Sequence, residues 1–321
     1  METSIAGIRL DHPIMNAAGP RCKTVEEIQQ LARTPVAAVM VGSITWEMRP
    51  GNQGEVYFSE LGEFSLNSLG LPNGGRDYYT LYLPEMAQMA HQAGKTLWVS
   101  VAGFTPEEYA NLTLLAVKHG ADVVELNLGC PNVWEGGTQK RIASFDPLLV
   151  EEILKRVQQA VDDEINPDAP KSFALKVSPY SDPLLLEEVA AVVAKSPLVQ
   201  ALTAINTFPN GFAWKENGKS SISPQFSNGL AGMAGPALKA VALGQVIQWR
   251  TNLPRHIDVI GAGGVNSGQD VIDYLNAGAK AVQIATAFAD QGPQVFDRIL
   301  TEFIVLNEFF SLQAPAPTKA E

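Results

Sequence analysis

Cysteine, histidine and basic charge are all scarce in this chain. Its 321 residues include two cysteines, Cys22 and Cys130. Two thiols do not make a disulfide framework, so a reducing, cytoplasmic setting is expected. The four histidines, at positions 12, 91, 119 and 256, show no metal-ligand spacing, and no metal centre is expected. Asp and Glu total 34 against 23 Lys and Arg, a formal net charge of −11. Nucleic-acid partners favour the opposite balance. No apolar run reaches membrane-spanning length without a charge or a breaker, and the start lacks a basic segment leading into an apolar core. A soluble protein without a membrane or nucleic-acid partner is the expectation.

What is present is a regular alternation. Apolar Val/Ile/Ala-rich runs centred near 14, 38, 98, 125, 175, 204 (Ala201 to Thr207), 259 and 283 (Ala281 to Thr286) alternate with helical stretches, one of them Tyr82 to Ala93. Thr24 is placed to cap a first helix, Pro106 to open another, and Asp146 or Ser144 to cap the helix after it. Eight such strands predict an α/β fold of the (β/α)8 TIM-barrel type, and the length suits it. A doubly wound open sheet is the alternative. The barrel is expected to form one domain over residues 1–312, with an Ala/Pro-rich tail at 313–321 that frays. Residues 1–11 read as a short hairpin or plug. The segment 46–79 is too long, aromatic and glycine-rich for a plain connection, and reads as a pocket wall or lid with short strands of its own.

In a barrel the chemistry sits on loops at the carboxyl ends of the strands. The run Val123 to Leu128 breaks into Gly129-Cys130-Pro131-Asn132, which presents Cys130 with Asn127 and Asn132 beside it. A buried, inert cysteine packed on proline is the competing reading. Lys176 lies within an apolar strand, where an ammonium is costly without a partner. It points to an anionic ligand or a flavin ring. Gly229 to Gly235 precedes a helix, and Gly261 to Gly264 and Ala285-Thr286 end the two strands that follow; backbone N–H groups in such places commonly hold phosphate. No Gly-x-Gly-x-x-Gly fingerprint sits near the first strand, so a Rossmann nicotinamide site is not expected. Flavin mononucleotide (FMN) fits the combination.

Three stretches carry a resemblance: Asn127-Leu128-Gly129-Cys130-Pro131-Asn132-Val133, Asn67-Ser68-Leu69-Gly70-Leu71-Pro72-Asn73, and Gly263-Gly264-Val265-Asn266-Ser267-Gly268-Gln269-Asp270. From about Ile8 to Leu306 the chain resembles the dihydroorotate dehydrogenase family, most closely its soluble class 1A type. The resemblance implies an FMN-dependent homodimer that oxidises (S)-dihydroorotate to orotate in pyrimidine biosynthesis, with fumarate as a possible electron acceptor. An iron–sulfur partner subunit, as in class 1B, stays open. Cys130 would be the general base. Asn67, Leu69, Gly70, Leu71, Asn127, Asn132, Asn206 and Thr207 would hold the substrate. Ala18, Gly19, Ser43, Ser100 and Asn127 would line the flavin together with Lys176. Gly232, Gly263, Gly264, Ala285 and Thr286 would complete its phosphate end.

Two departures bear on the substrate. The family's Thr-Lys-Ser string after the second strand is Val41-Gly42-Ser43 here, which removes a cation. Arg21 or Lys23 stands nearby to compensate, and a lysine placed at 42 is expected to tighten orotate. Trp134-Glu135 also makes the loop after Cys130 bulkier and more acidic. A neutral dihydropyrimidine such as dihydrouracil is therefore the alternative substrate, and a non-catalytic flavin-binding protein the other alternative.

Overall fold

The computed structural model describes residues 2–135, 138–166 and 172–313, with the side chains of 135 and 310–313 outside that description. The tail beyond 313 likewise lies outside the described residues.

Eight parallel strands form one sheet: Ile14–Asn16, Ala38–Ile44, Thr96–Val101, Val123–Asn127, Ser172–Val177, Ala201–Ala204, Asp258–Ala262 and Ala281–Ile284. They pair in the order first, eighth, seventh, and so on down to second, with helices between them. Nearly every strand residue is buried, because helices cover the outside and side chains fill the inside. This is the expected TIM barrel.

The barrel closes between its first and second strands by a side-chain device. Ala37 N donates to Ile14 O at 2.9 Å. Above it, Asn16 Nδ2 donates to Met40 O at 2.8 Å while Asn16 Oδ1 accepts from Met40 N at 2.9 Å. One buried amide thus mimics a two-bond rung of sheet where no regular ladder forms.

Period-two alternation sorts the inward side chains into layers. The lower layer is apolar, with Met15, Met40, Trp98, Val123, Ala174, Ala201, Ile260 and Ala281 in one cluster. The N-terminal hairpin, Thr3–Ile5 paired with Ile8–Leu10, seals it from below with Ile5 and Leu10. It is both the hairpin and the plug. Two residues further along the strands the interior turns polar, with Ser100, Glu125, Lys176, Thr203 and Gln283 all buried. That layer floors the mouth at the carboxyl ends of the strands.

The helices begin where their caps place them. Thr24 and Glu27 form a capping box for α1 (Val25–Ala32). Thr105, Asp146 and Asp182 each cap a helix whose first residue is proline: α3 (Pro106–Lys118), α4 (Pro147–Glu164) and α5 (Pro183–Lys195).

Four local expectations are corrected. The helix after the insertion, α2 (Gly75–Gln92), starts at Gly75 rather than near 82. Its tyrosines pack as rings instead of forming loop, Tyr78 lying 5.1 Å from Tyr79 and 4.6 Å from Tyr82. The sixth strand stops at Ala204, since Ile205 N turns to Ala262 O and Asn206 N to Val177 O. The 229–235 run holds a strand, Ala231–Ala234, which pairs with Phe64–Asn67 from the long insertion. With Tyr57–Glu60 and Phe208–Gly211 these make a four-stranded antiparallel sheet at the mouth. Thr286 opens a short helix (Thr286–Gln291) rather than ending the eighth strand.

Replacing Asn16 by alanine removes both closure bonds and leaves Met40's backbone groups unpaired. We expect a loss of about 2 kcal/mol in equilibrium urea unfolding. A change no larger than that of a surface substitution would show that the closure does not depend on this amide.

Candidate active site

The loop after the fourth strand is fixed before it reaches Cys130. Leu128 N donates to Lys176 O at 2.9 Å, and Gly129 N to Asn127 Oδ1 at 3.1 Å. Ser144 N donates to Leu128 O at 2.9 Å and ties the far end of the loop back. The thiol, only partly exposed, is held at the wall of a cavity.

Around it the amides join hands. Asn127 Nδ2 donates to Ser43 Oγ at 2.8 Å, and Asn127 Oδ1 accepts from Asn206 Nδ2 at 3.1 Å. Ser43 Oγ in turn bonds Ser100 Oγ at 2.9 Å. On the other side Asn132 Nδ2 donates to Asn67 Oδ1 at 3.0 Å, while Asn132 Oδ1 accepts from Gly232 N at 3.1 Å. Asn52 Nδ2 donates to Asn132 O at 3.2 Å. The insertion thereby grips the Cys130 loop.

The first cavity is walled by Cys130, the four asparagines 67, 127, 132 and 206, Thr207, Ser43, and Leu69, Gly70 and Leu71. Ala18, Gly19 and Lys23 complete it on the side of the first strand. A second cavity adjoins it, since Ala18, Asn206, Thr207, Ala234, Ala285 and Thr286 line both. Its remaining wall contains Lys176, Gly263, Gly264 and Gln283. Two of the residues singled out from the sequence, Ser100 and Gly232, line neither cavity. Ser100 backs Ser43, and Gly232 holds Asn132.

The second cavity suits an elongated group with an electron-rich ring and a phosphate. Lys176 is 4% exposed, and its ammonium donates to the neutral Gln283 Oε1 at 3.1 Å. Among the described residues no carboxylate pairs with it. Thr207 Oγ1 is buried without a partner among the described residues. Gly263 takes φ +128° and Gly264 φ +73°, and a Cβ on Gly264 would lie 2.9 Å from Gly235 O. Only glycine lets the backbone pass there, so the end of this cavity is lined by main chain.

Three cations surround the thiol. Burial pushes the Cys130 pKa above its ordinary value; the Asn132 backbone and the charges of Arg49, Lys23 and Lys176 pull it back without cancelling the shift. Lys23 is itself lowered by burial, with Cys22, Glu27 and Cys130 opposing that shift. Arg49 donates from Nε to Gly70 O at 3.0 Å and stacks on Phe104, 4.9 Å from the ring centre.

Position 42, where the family's lysine is absent, is also constrained by its backbone. Gly42 has φ +108°, and a Cβ there would lie 2.6 Å from Ser100 O and 2.9 Å from Ile44 N. Both contacts are backbone, so a side chain at 42 is strained and needs the chain around it to shift. The cation facing this cavity is Lys23, whereas exposed Arg21 is absent from its walls. The side chain of Glu135 lies outside the described residues.

The sequence reading passed over Arg49, Asn52, Glu125 and Gln283. The last two stand inside apolar strands, the same signal that singled out Lys176. Arg49 and Asn52 carried no such signal, because only the folded insertion brings them to the cysteine.

Barrel, glycine-walled cleft and cysteine-lined pocket together define an oxidoreductase built to hold a flavin. A family model described as dihydroorotate dehydrogenase matches residues 1–306. The chain is 34% identical over 307 residues to the dihydroorotate dehydrogenase A (fumarate) of Lactococcus lactis subsp. cremoris strain MG1363, covering 94% of this chain and 92% of that one. It is also 34% identical over 306 residues to the enzyme of the same name from L. lactis subsp. lactis strain IL1403, with the same coverage. The chain therefore belongs to the dihydroorotate dehydrogenase family, within class 1, whose members are FMN flavoproteins. A crystal structure of dihydroorotate dehydrogenase from Eimeria tenella, in complex with ferulenol, superposes with a TM-score of 0.79 at 20% identity. That match covers 96% of this chain and 84% of that one, and speaks for the fold.

Replacing Gly42 by alanine should cost roughly 2 kcal/mol or more in denaturant unfolding and leave orotate affinity no tighter. A stable alanine variant would show that the second strand has room to move, and would reopen position 42 as a ligand contact.

Proposed function

We propose that this protein oxidises (S)-dihydroorotate to orotate for pyrimidine biosynthesis, with FMN as cofactor, Cys130 as general base and fumarate as electron acceptor. The observation that carries the proposal is one thiol set in a ring of four asparagines, beside a cleft with a buried, carboxylate-free lysine. FMN, when bound, would supply the two-electron acceptor chemistry for the hydride leaving substrate C6. Lys176, Ser43, Ala18, Gly19, Gly263, Gly264, Ala285 and Thr286 would hold it.

The remaining work belongs to the chain. Asn67, Asn127, Asn132 and Asn206 orient the flat ring through its amide edges, with Thr207 beside them. Their mutual hydrogen bonds fix these side chains before substrate arrives, which lowers the cost of ordering them. Cys130 Sγ, as thiolate, takes the proton from C5. Lys23 faces the substrate carboxylate and supports the anionic ring over a neutral one. Trp134–Glu135 pairs antiparallel with Thr138–Gln139, and Gln139 Nε2 donates to Pro131 O at 2.7 Å; the loop after the cysteine would close over the thiol. Such a cover excludes water from the proton transfer.

The assembly we expect is a cytoplasmic homodimer with one barrel per chain. What supports a dimer is the exposed apolar surface of Phe212, Trp214, Phe226 and Leu230 beside the mouth sheet. Among the described residues no helix is long and apolar enough to cross a membrane.

Cys130→Ala should retain FMN while flavin reduction by dihydroorotate slows about 10²–10⁴-fold in stopped-flow mixing. An unslowed variant would remove Cys130 from the role of base. Because the folded thiol pKa is raised, the thiolate fraction grows only as pH climbs past the ordinary cysteine range. The parent's reduction rate should rise with pH into that range, and a flat profile would argue against thiolate chemistry. Lys23→Met should weaken orotate in fluorescence titration by about tenfold or more, as loss of a charge-assisted contact requires. Unaltered affinity would place the carboxylate elsewhere.

A further inference from the structure

Beneath the cofactor cavity lies a buried polar chain with no part yet in the reaction. Glu125 is fully buried, and its Oε2 accepts from Thr203 Oγ1 at 2.8 Å and from Gln283 Nε2 at 2.8 Å. Gln283, 1% exposed, turns its other end to Lys176, whose Nζ donates to Gln283 Oε1 at 3.1 Å. Gln283 and Lys176 both line the cofactor cavity, whereas Glu125 does not.

We infer that Glu125 and Gln283 are positioning residues that set, through Lys176, how strongly the bound cofactor is held in its reduced form. The inference rests on the FMN reading above. An ammonium only donates and a carboxylate only accepts. An amide placed between them has one satisfactory orientation, NH₂ toward Glu125 and carbonyl toward Lys176. Glu125 thus locks Gln283, and Gln283 locks the ammonium at the cavity wall. The amide also keeps the carboxylate one residue away. Contact with Glu125 would neutralise the lysine, and its absence would leave the lysine's charge less opposed. A flavin gains negative charge on reduction, so the net positive charge facing it tunes its potential. In a buried, weakly screened layer such an effect persists at high salt.

The test is an anaerobic redox titration of the purified FMN-loaded protein against a reference dye, comparing parent, Glu125→Gln and Gln283→Glu. Both substitutions preserve size. Glu125→Gln removes the opposing charge and should raise the midpoint potential. Gln283→Glu sets a carboxylate against the ammonium and should lower it. Opposite shifts support the inference. Equal potentials, or shifts of the same sign, overturn it, because a merely structural role would lower melting temperature or FMN retention without that pattern. If one variant does not fold, the sign of the other decides. A parent that binds no FMN defeats the FMN reading itself; FMN-loaded variants with unmoved potentials defeat this inference alone.

Discussion

The pairing of the fourth strand with the fifth sets Asn127 level with Lys176, and the site depends on that register. Successive strand residues face opposite ways, so a slip of one would bury Leu126 and Val177 at the mouth and drive the amide and ammonium outward. The apolar layer below resists such a slip. Val123 and Ala174 pack inside the barrel with Trp98 and Met40, where polar neighbours would be costly. The catalytic end is polar because the same strands carry Glu125 and Lys176 two residues on and Asn127 four residues on. Stability and chemistry occupy different layers of one alternating pattern.

Electrostatics at Cys130 is a compromise between those layers. Burial opposes the thiolate, and the three cations Arg49, Lys23 and Lys176 favour it. They arrive from three separate parts of the chain: the second-strand insertion, the loop after the first strand, and the fifth strand. A cysteine in this position is deprotonated less readily than a free thiol. The insertion contributes to both effects, since it brings Arg49 and also clamps the cysteine loop through Asn52.

Much of this was legible in the sequence. The eight strands and their helices were written in apolar runs, caps and prolines, because a parallel strand buried on both faces can be little else. Cys130, its flanking asparagines, Lys176 and the late glycines could be placed at the mouth by counting strands. The insertion was recognisable as a wall, but its internal pairing was not, since short antiparallel strands are stabilised by Ala231–Ala234, more than a hundred residues away in the chain. Position 42 shows a related limit. A residue type shows what is missing, whereas only the fold shows how closely Ser100 O approaches that position. Lys23 could be suspected from its neighbourhood, yet only the folded loop separates it from Arg21.

The most direct measurement of the central claim is anaerobic mixing of the purified yellow protein with (S)-dihydroorotate, with dihydrouracil run in parallel. The signal is the oxidised-flavin band at about 450 nm. Rapid bleaching by dihydroorotate and little by dihydrouracil is the predicted result, with Lys23 reading the carboxylate. A flavin that stays oxidised with dihydroorotate would contradict the account and leave the family membership as ancestry alone.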